Sequence, residues 1–249
     1  MKDPRLPAPR PAELRDRVIA VTGAGDGIGR AVAIAAAAHG AQVILIGRTI
    51  KKLQAVHKQI IDAHGEVALM APLDLEKAVA KDYDTLAAAV LSRYGRLDGL
   101  VHCAGILGTL TPVDQFDVPT WCKVLHVNLT SAFVLTQVLL PALRQSADAS
   151  VVFSGSGVGR KGRAYWGAYS VSKFGIEGLT QVLAEEMRGA APVRVNALNP
   201  GATRTRMRRQ AFPSENAELL ATPDTIALAY IALLGPQTAN LNGESLDAQ

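Results

Sequence analysis

Short apolar runs rich in β-branched residues alternate along this chain with longer stretches of helical spacing. Val18–Thr22, Gln42–Ile46, Val67–Leu73, Gly99–Cys103, Ser150–Ser154 and Val193–Leu198 are near-continuous apolar runs. That is the pattern of strands covered on both faces of a parallel sheet. Between them, Gly27–His39, Ile50–His64, Glu76–Tyr94, Pro119–Leu143 and Ala168–Arg188 repeat their apolar residues at helical intervals. Strands alternating with helices require right-handed crossovers, which predicts an α/β fold with a doubly wound parallel sheet. A Pro-rich leader, residues 1–13, precedes the first run, and residues 14–249 read as a single domain. Asn199–Thr222 breaks the alternation with four arginines and two prolines. A long irregular stretch in a compact domain is commonly a lid or binding loop, here placed at about 200–222.

Composition sharpens this picture only a little. With 49% hydrophobic, 19% charged and 5% aromatic residues, the chain of 249 residues is neither disordered nor fibrous. Two cysteines, Cys103 and Cys122, cannot build a disulfide framework and read as reduced thiols. The leader has no apolar segment of a signal peptide, and no uninterrupted apolar window of about 20 residues stands out. The nearest such window, Ala31–Gly47, is broken by His39, Gly40 and Gln42. These features predict a cytoplasmic protein without a membrane partner. A net charge of +4 permits weak anion attraction, yet no basic residues interleave with aromatics, so no nucleic-acid partner is expected. The five histidines, His39, His57, His64, His102 and His126, have no metal-ligand spacing, and no metal site is expected.

The chemistry begins where the first strand meets the first helix. Thr22-Gly23-Ala24-Gly25-Asp26-Gly27-Ile28-Gly29 follows a strand and opens a helix. Glycines there let the backbone turn sharply and approach a pyrophosphate held at the helix N-terminus. The second strand ends in Gly47-Arg48 rather than in an acid that would bind a ribose 2′-hydroxyl. A guanidinium suits a 2′-phosphate, so NADP(H) is predicted over NAD(H). Asp26 places a negative charge near those phosphates and runs against that expectation.

Tyr169 and Lys173 stand four apart, on one face of a helix. An ammonium beside a phenol lowers its pKa and fits it to exchange protons near neutral pH. Ser156 lies thirteen residues before Tyr169, and Asn128 falls in the long helical stretch after the fourth strand.

Taken together, TGAGDGIG at 22–29, Asp74-Leu75, HCAG at 102–105, Asn128, Ser156, YSVSK at 169–173 and NPGATRT at 199–205 resemble the short-chain dehydrogenase/reductase family. The resemblance runs from about Leu14 to near the end of the chain and is nearest to a bacterial subgroup of undefined substrate. It implies a Rossmann-type sheet of about seven strands with helices on both faces. It also implies an NADP(H)-dependent oxidoreductase that interconverts a carbonyl and an alcohol. On this resemblance Tyr169 is the general acid/base, and Lys173 binds the nicotinamide ribose. Ser156 binds the substrate oxygen, with Ser154 a rival that the spacing disfavours. Asn128 holds a water linking Lys173 to solvent. Asp74 and Leu75 meet adenine, and Ala104 and Gly105 line the adenosine ribose and phosphates. Pro200, Gly201, Thr203 and Thr205 cover the nicotinamide. A homodimer or homotetramer is implied as well. The alternative is a catalytically silent NADP(H)-binding regulator of the same fold.

Two features depart from the family pattern. Cys103 stands where an asparagine usually braces the sheet, and the last residues, from Gly243 on, lack the usual paired glycines. Two basic loops, Arg160-Lys161-Gly-Arg163 and Arg204–Arg209, frame the expected cleft and would suit an anionic substrate. Tyr165 and Trp166, just before the catalytic helix, are placed either to line the substrate pocket or to pack.

Overall fold

The computed structural model describes residues 2–64 and 68–249. Seven strands form one sheet in the order β3-β2-β1-β4-β5-β6-β7. They are β1 (Val18–Thr22), β2 (Gln42–Gly47), β3 (Leu69–Pro72), β4 (Gly99–His102), β5 (Ala149–Ser154), β6 (Val193–Asn199) and β7 (Ser245–Asp247). Every neighbouring pair is parallel. Val67, expected to open the third strand, lies outside the described residues. Strand order reverses between β1 and β4, which opens a crevice beyond the C-terminal strand ends, the usual ligand position in such sheets.

The continuous apolar runs are explained by burial on both faces. In β1, Ile19 and Val21 join one core and Val18 and Ala20 the other. The first core is closed by α1 (Gly27–Ala38), α2 (Ile50–His64) and α8 (Pro223–Leu234); the second by α3 (Ala80–Tyr94), α5 (Ser131–Leu143) and α6 (Gly167–Met187). Small side chains let α1 approach closely, with Ala31, Ala33, Ala36 and Ala37 buried.

Three elements differ from the sequence expectation. α3 starts at Ala80 rather than Glu76, because the Asp82 carboxylate accepts the Val79 amide at 2.9 Å and fixes the first turn there. The stretch expected as one helix is α4 (Val118–Leu125), a π-helical turn (His126–Thr130) and α5. Among the described residues, Val118–Leu143, rather than Ala31–Gly47, is the run long and apolar enough to cross a membrane by length and composition. In this fold Leu135, Leu139 and Leu143 are buried in the second core. The third is α8, which the sequence pattern did not reveal; Thr222 caps it and Pro223 occupies its first turn.

The N-terminal end of the sheet is tied by charge. Asp148, just before β5, receives Arg194 Nε at 2.9 Å and Arg17 Nη2 at 2.6 Å. Arg194 also donates to the carbonyls of Leu233, Thr238 and Gly235. The leader crosses the β7 edge, where the Asp3 amide donates to the Asp247 carbonyl at 2.9 Å and Leu6 is buried.

Candidate active site

Thr22 ends β1 with its hydroxyl accepting the Ala104 amide at 3.1 Å, which joins the first turn to the loop after β4. Gly23 has φ of +66°, and a Cβ there would sit 3.0 Å from the Ala104 nitrogen. At Gly29 a Cβ would fall 2.5 Å from the Gly23 carbonyl oxygen. The turn therefore closes on itself through glycine and leaves a bare backbone cradle at the start of α1. Asp26 caps that helix by accepting the Gly27 amide at 2.9 Å. Its carboxylate is also bound by Lys52 Nζ at 2.5 Å and faced by Arg206 at 4.0 Å. Lys52 above all holds it below the usual carboxylate range. The charge that weighed against a phosphate site is thus met by two cations.

From this cradle a cleft of about 740 Å³ runs in both directions, and Gly27 and Ile28 line its middle. At one end Arg48 lies exposed beyond β2, and Asp74 and Leu75 close the floor beyond β3. Ala104 and Gly105 border the centre, with Pro200 and Thr205 opposite. Tyr169 and Lys173 stand at the other end.

Lys173 is buried, and its Nζ donates to the Ser154 carbonyl at 2.7 Å. Burial lowers its pKa to about 8, against the opposing pull of Cys103 and Glu177. Its Nζ lies 5.7 Å from the centre of the Tyr169 ring. Burial pushes the phenol above its ordinary value, opposed by a hydrogen bond from Ser156. The lysine ammonium gives one of its three hydrogens to the strand carbonyl of Ser154. Ser156 faces the phenol, while Ser154 Oγ bonds Tyr230 Oη at 2.8 Å and Cys103 Sγ at 3.4 Å. Ser154 also lines the cleft, with its hydroxyl held by these two partners.

Asn128 sits in the π-helical turn and is buried. Its Nδ2 donates to the Ile106 carbonyl at 2.9 Å and to Ser172 Oγ at 3.0 Å; its Oδ1 accepts the Ile106 amide at 2.8 Å. The carboxamide is consumed in bracing the loop that carries Ala104 and Gly105.

The family profile for short chain dehydrogenases matches residues 17–216. The chain belongs to the short-chain dehydrogenase family. It is 44% identical to the uncharacterized oxidoreductase YciK of Escherichia coli (strain K12), over 97% of this chain and 95% of that protein. A short-chain dehydrogenase structure from Pseudomonas syringae superposes with a TM-score of 0.95 at 51% identity, covering 96% of this chain and 97% of the other. A second, from Escherichia coli CFT073 and complexed with NADPH, gives a TM-score of 0.94 at 45% identity, over 97% of this chain and all (100%) of that one.

In this short-chain dehydrogenase the segment after β6 divides into exposed and inward parts. Gly201 packs on Gln249, and Thr203 is 3% exposed with its hydroxyl on the Pro200 carbonyl at 3.2 Å. Neither reaches the cleft, unlike Pro200 and Thr205. Thr205 instead caps α7 (Arg206–Ala211) by accepting the Arg208 amide at 3.1 Å. Phe212, at the end of α7, meets the Trp166 ring at 5.7 Å between centroids, and Trp166 meets Tyr169 at 5.8 Å. Trp166 thus joins the end of α7 to α6, whereas Tyr165 is 60% exposed.

The basic loops are largely paired with acids of their own. Arg160 binds Glu177 and Asp247, Arg204 binds Glu218, and Arg208 binds Glu215. Three of the seven cations in these loops are thus spent on holding them. The sequence reading also missed Lys52 and Cys103 as lining residues of the cleft. A cation one turn into α2 was a readable sign of Lys52; nothing in the sequence pointed Cys103 toward the cleft.

Proposed function

We propose that this protein interconverts a carbonyl and an alcohol as an NADP(H)-dependent enzyme, with Tyr169 as general acid/base. The observation that carries this reading is one cleft with a phosphate cradle in its middle, Arg48 at one end and Tyr169 and Lys173 at the other, with Ser156 beside the phenol. The glycine cradle, the helix N-terminus and the free arginine fit a dinucleotide with a 2′-phosphate. The NADPH complex of the Escherichia coli relative supports the same choice. When bound, the cofactor supplies or accepts the hydride.

The chain's own residues manage the proton. Ser156 holds the substrate oxygen and orients it toward the phenol. In reduction Tyr169 donates its proton to that oxygen, and its raised pKa keeps it loaded with the proton at neutral pH. Lys173, with a pKa near 8, stands beside it as a cation that steadies the phenolate left behind. Asn128 and Ser172 position the loop and helix around this pair. Residues 14–249 act as one catalytic unit, with residues 200–222 as its lid and residues 1–13 as a leader laid on β7. A second copy of this chain covers Phe133, Val171, Phe174 and Val182, apolar side chains left 44–57% exposed on α5 and α6.

The test is the loss of NADPH absorbance with ketones, β-keto thioesters, quinones, sugars and aldehydes, each repeated with Tyr169→Phe. Turnover of one class that falls at least about a hundredfold in the variant is expected. Tight NADPH binding without turnover of any class would favour a regulator instead.

A further inference from the structure

Arg163 stands apart from the other cations of the two basic loops. Arg160, Arg204 and Arg208 are paired with acids, and Arg206 faces Asp26 at 4.0 Å. The Arg163 guanidinium has no hydrogen bond or ion pair among the described residues, yet its place is fixed. Its Cζ lies over the Trp166 ring at 5.8 Å and over the Phe212 ring at 5.3 Å from the centroids. A guanidinium held over aromatic rings keeps its N–H groups available at its edge, where a carboxylate can meet two of them at once.

The backbone is strained to make this arrangement. The Trp166 amide donates to the Arg163 carbonyl at 3.2 Å, which closes a tight turn with Tyr165 at its third position and a φ of +73°. That left-handed place in a turn normally falls to glycine, and a bulky residue rarely enters it. Tyr165 gains no burial in return, being 60% exposed. What the turn secures is Arg163 over Trp166, and strain of this kind collects at ligand-binding positions. The stack leads to the phenol. Trp166 meets Tyr169 at 5.8 Å, so two contacts of that length, end to end, bound the distance from the guanidinium to the phenol ring. On the other side, Phe212 follows the helix whose Met207 and Gln210 line the cleft.

We infer that Arg163 determines specificity: it takes the carboxylate of a small oxo acid, or of the matching hydroxy acid, whose reacting oxygen is held at Tyr169. This rests on the reading of Tyr169 as the acid/base. With contacts of about 2.8 Å at each end, the carbonyl and the carboxylate are roughly three to six bonds apart. One fixed cation balances the single charge of a carboxylate, whereas a phosphate carries nearly two. The carboxylate takes no part in the chemistry: the carbonyl carbon takes a hydride from NADPH, its oxygen takes the Tyr169 proton, and NADP+ is left.

Matched pairs isolate the charge: levulinate against methyl levulinate, and para-acetylbenzoate against its methyl ester. The first readout is the ratio of kcat/KM for acid over ester with NADPH. In at least one pair the parent should prefer the acid by at least about tenfold, mainly through KM, and the preference should shrink as salt rises. Arg163→Met keeps an apolar contact with the rings and should erase the preference; Arg163→Lys should restore part of it. Loss of a mere strut between α6 and α7 would slow acid and ester alike and leave the ratio unmoved. The second readout is the calorimetric affinity for the same pairs with NADP+ present. It needs no turnover, so it reports on Arg163 even if no ketone is reduced and the functional reading fails. The same preference and the same loss in Arg163→Met are expected there. Binding of neither acid, equal binding of acid and ester by the parent, or a preference that survives Arg163→Met would overturn the inference.

Discussion

Removing the Arg48 guanidinium isolates the cofactor-choice reading. Arg48 lies exposed at the end of β2 and lines the cleft, and no acid lies within ion-pair distance of it among the described residues. Its acidic neighbour Glu76 is itself held by Lys123 at 2.7 Å, so the guanidinium is available to a phosphate. Hydrogen bonds to charged groups contribute about 1.5–3 kcal/mol, and an exposed site sits at the low end of that range. A loss of about 1.5–2 kcal/mol corresponds to about 10–30-fold weaker NADPH binding. NADH, which lacks the 2′-phosphate, should bind Arg48→Ala and the parent alike. Titration calorimetry with both cofactors at low and high salt measures this directly, and the NADPH advantage should shrink as salt rises. Lys52→Ala should cost less, because Lys52 is already committed to Asp26. Equal weakening of both cofactors by Arg48→Ala, or no weakening of either, would refute the assignment.

Two further outcomes concern stability and assembly. Asp148→Asn should destabilise the protein by about 2–3 kcal/mol, since it strands the buried Arg194 while leaving its carbonyl partners. Thermal melts should show a fall of about 5–10 °C. Burial pushes the Asp148 carboxyl up, but Arg194 and Arg17 more than offset this, and its folded pKa lies below 3.8. The parent's advantage should therefore be full from neutral pH to about 5 and fade as pH falls below about 4. A gap that stays constant into that acid range would contradict the assignment. For assembly, Phe174→Glu with Val182→Glu should convert the parent oligomer to a monomer by light scattering; an unchanged mass would place the contact elsewhere.

What the sequence made legible follows from which residues carry local signals. β1 and α2 were read to the residue because a β-branched run and a clean amphipathic period leave little choice. α8 was missed for the opposite reason. PDTIALAYIALL is buried almost all round from Ile226 to Leu234, so it has no polar face to give a period. Its Thr222-Pro223 start was the available clue. β7 is three residues long and reads as nothing by itself. At the site, Tyr169, Lys173 and the glycine turn announce themselves by spacing. The hold on Lys173 did not, because its Nζ is bound by the Ser154 carbonyl on a distant strand. The partner of the Asn128 carboxamide was hidden in the same way, since the Ile106 backbone that it braces lies 22 residues away in sequence.

The charge cluster of Arg17, Asp148 and Arg194 sits at the opposite end of the strands from the cleft. It works as a keel, and on the proposed function residues 200–222 are an interchangeable deck. Laboratory evolution toward a new substrate can then load residues 200–222 with costly changes and recover the lost durability at the keel without touching turnover. Selection for heat resistance and selection for a new substrate would write their mutations at opposite poles of the same sheet.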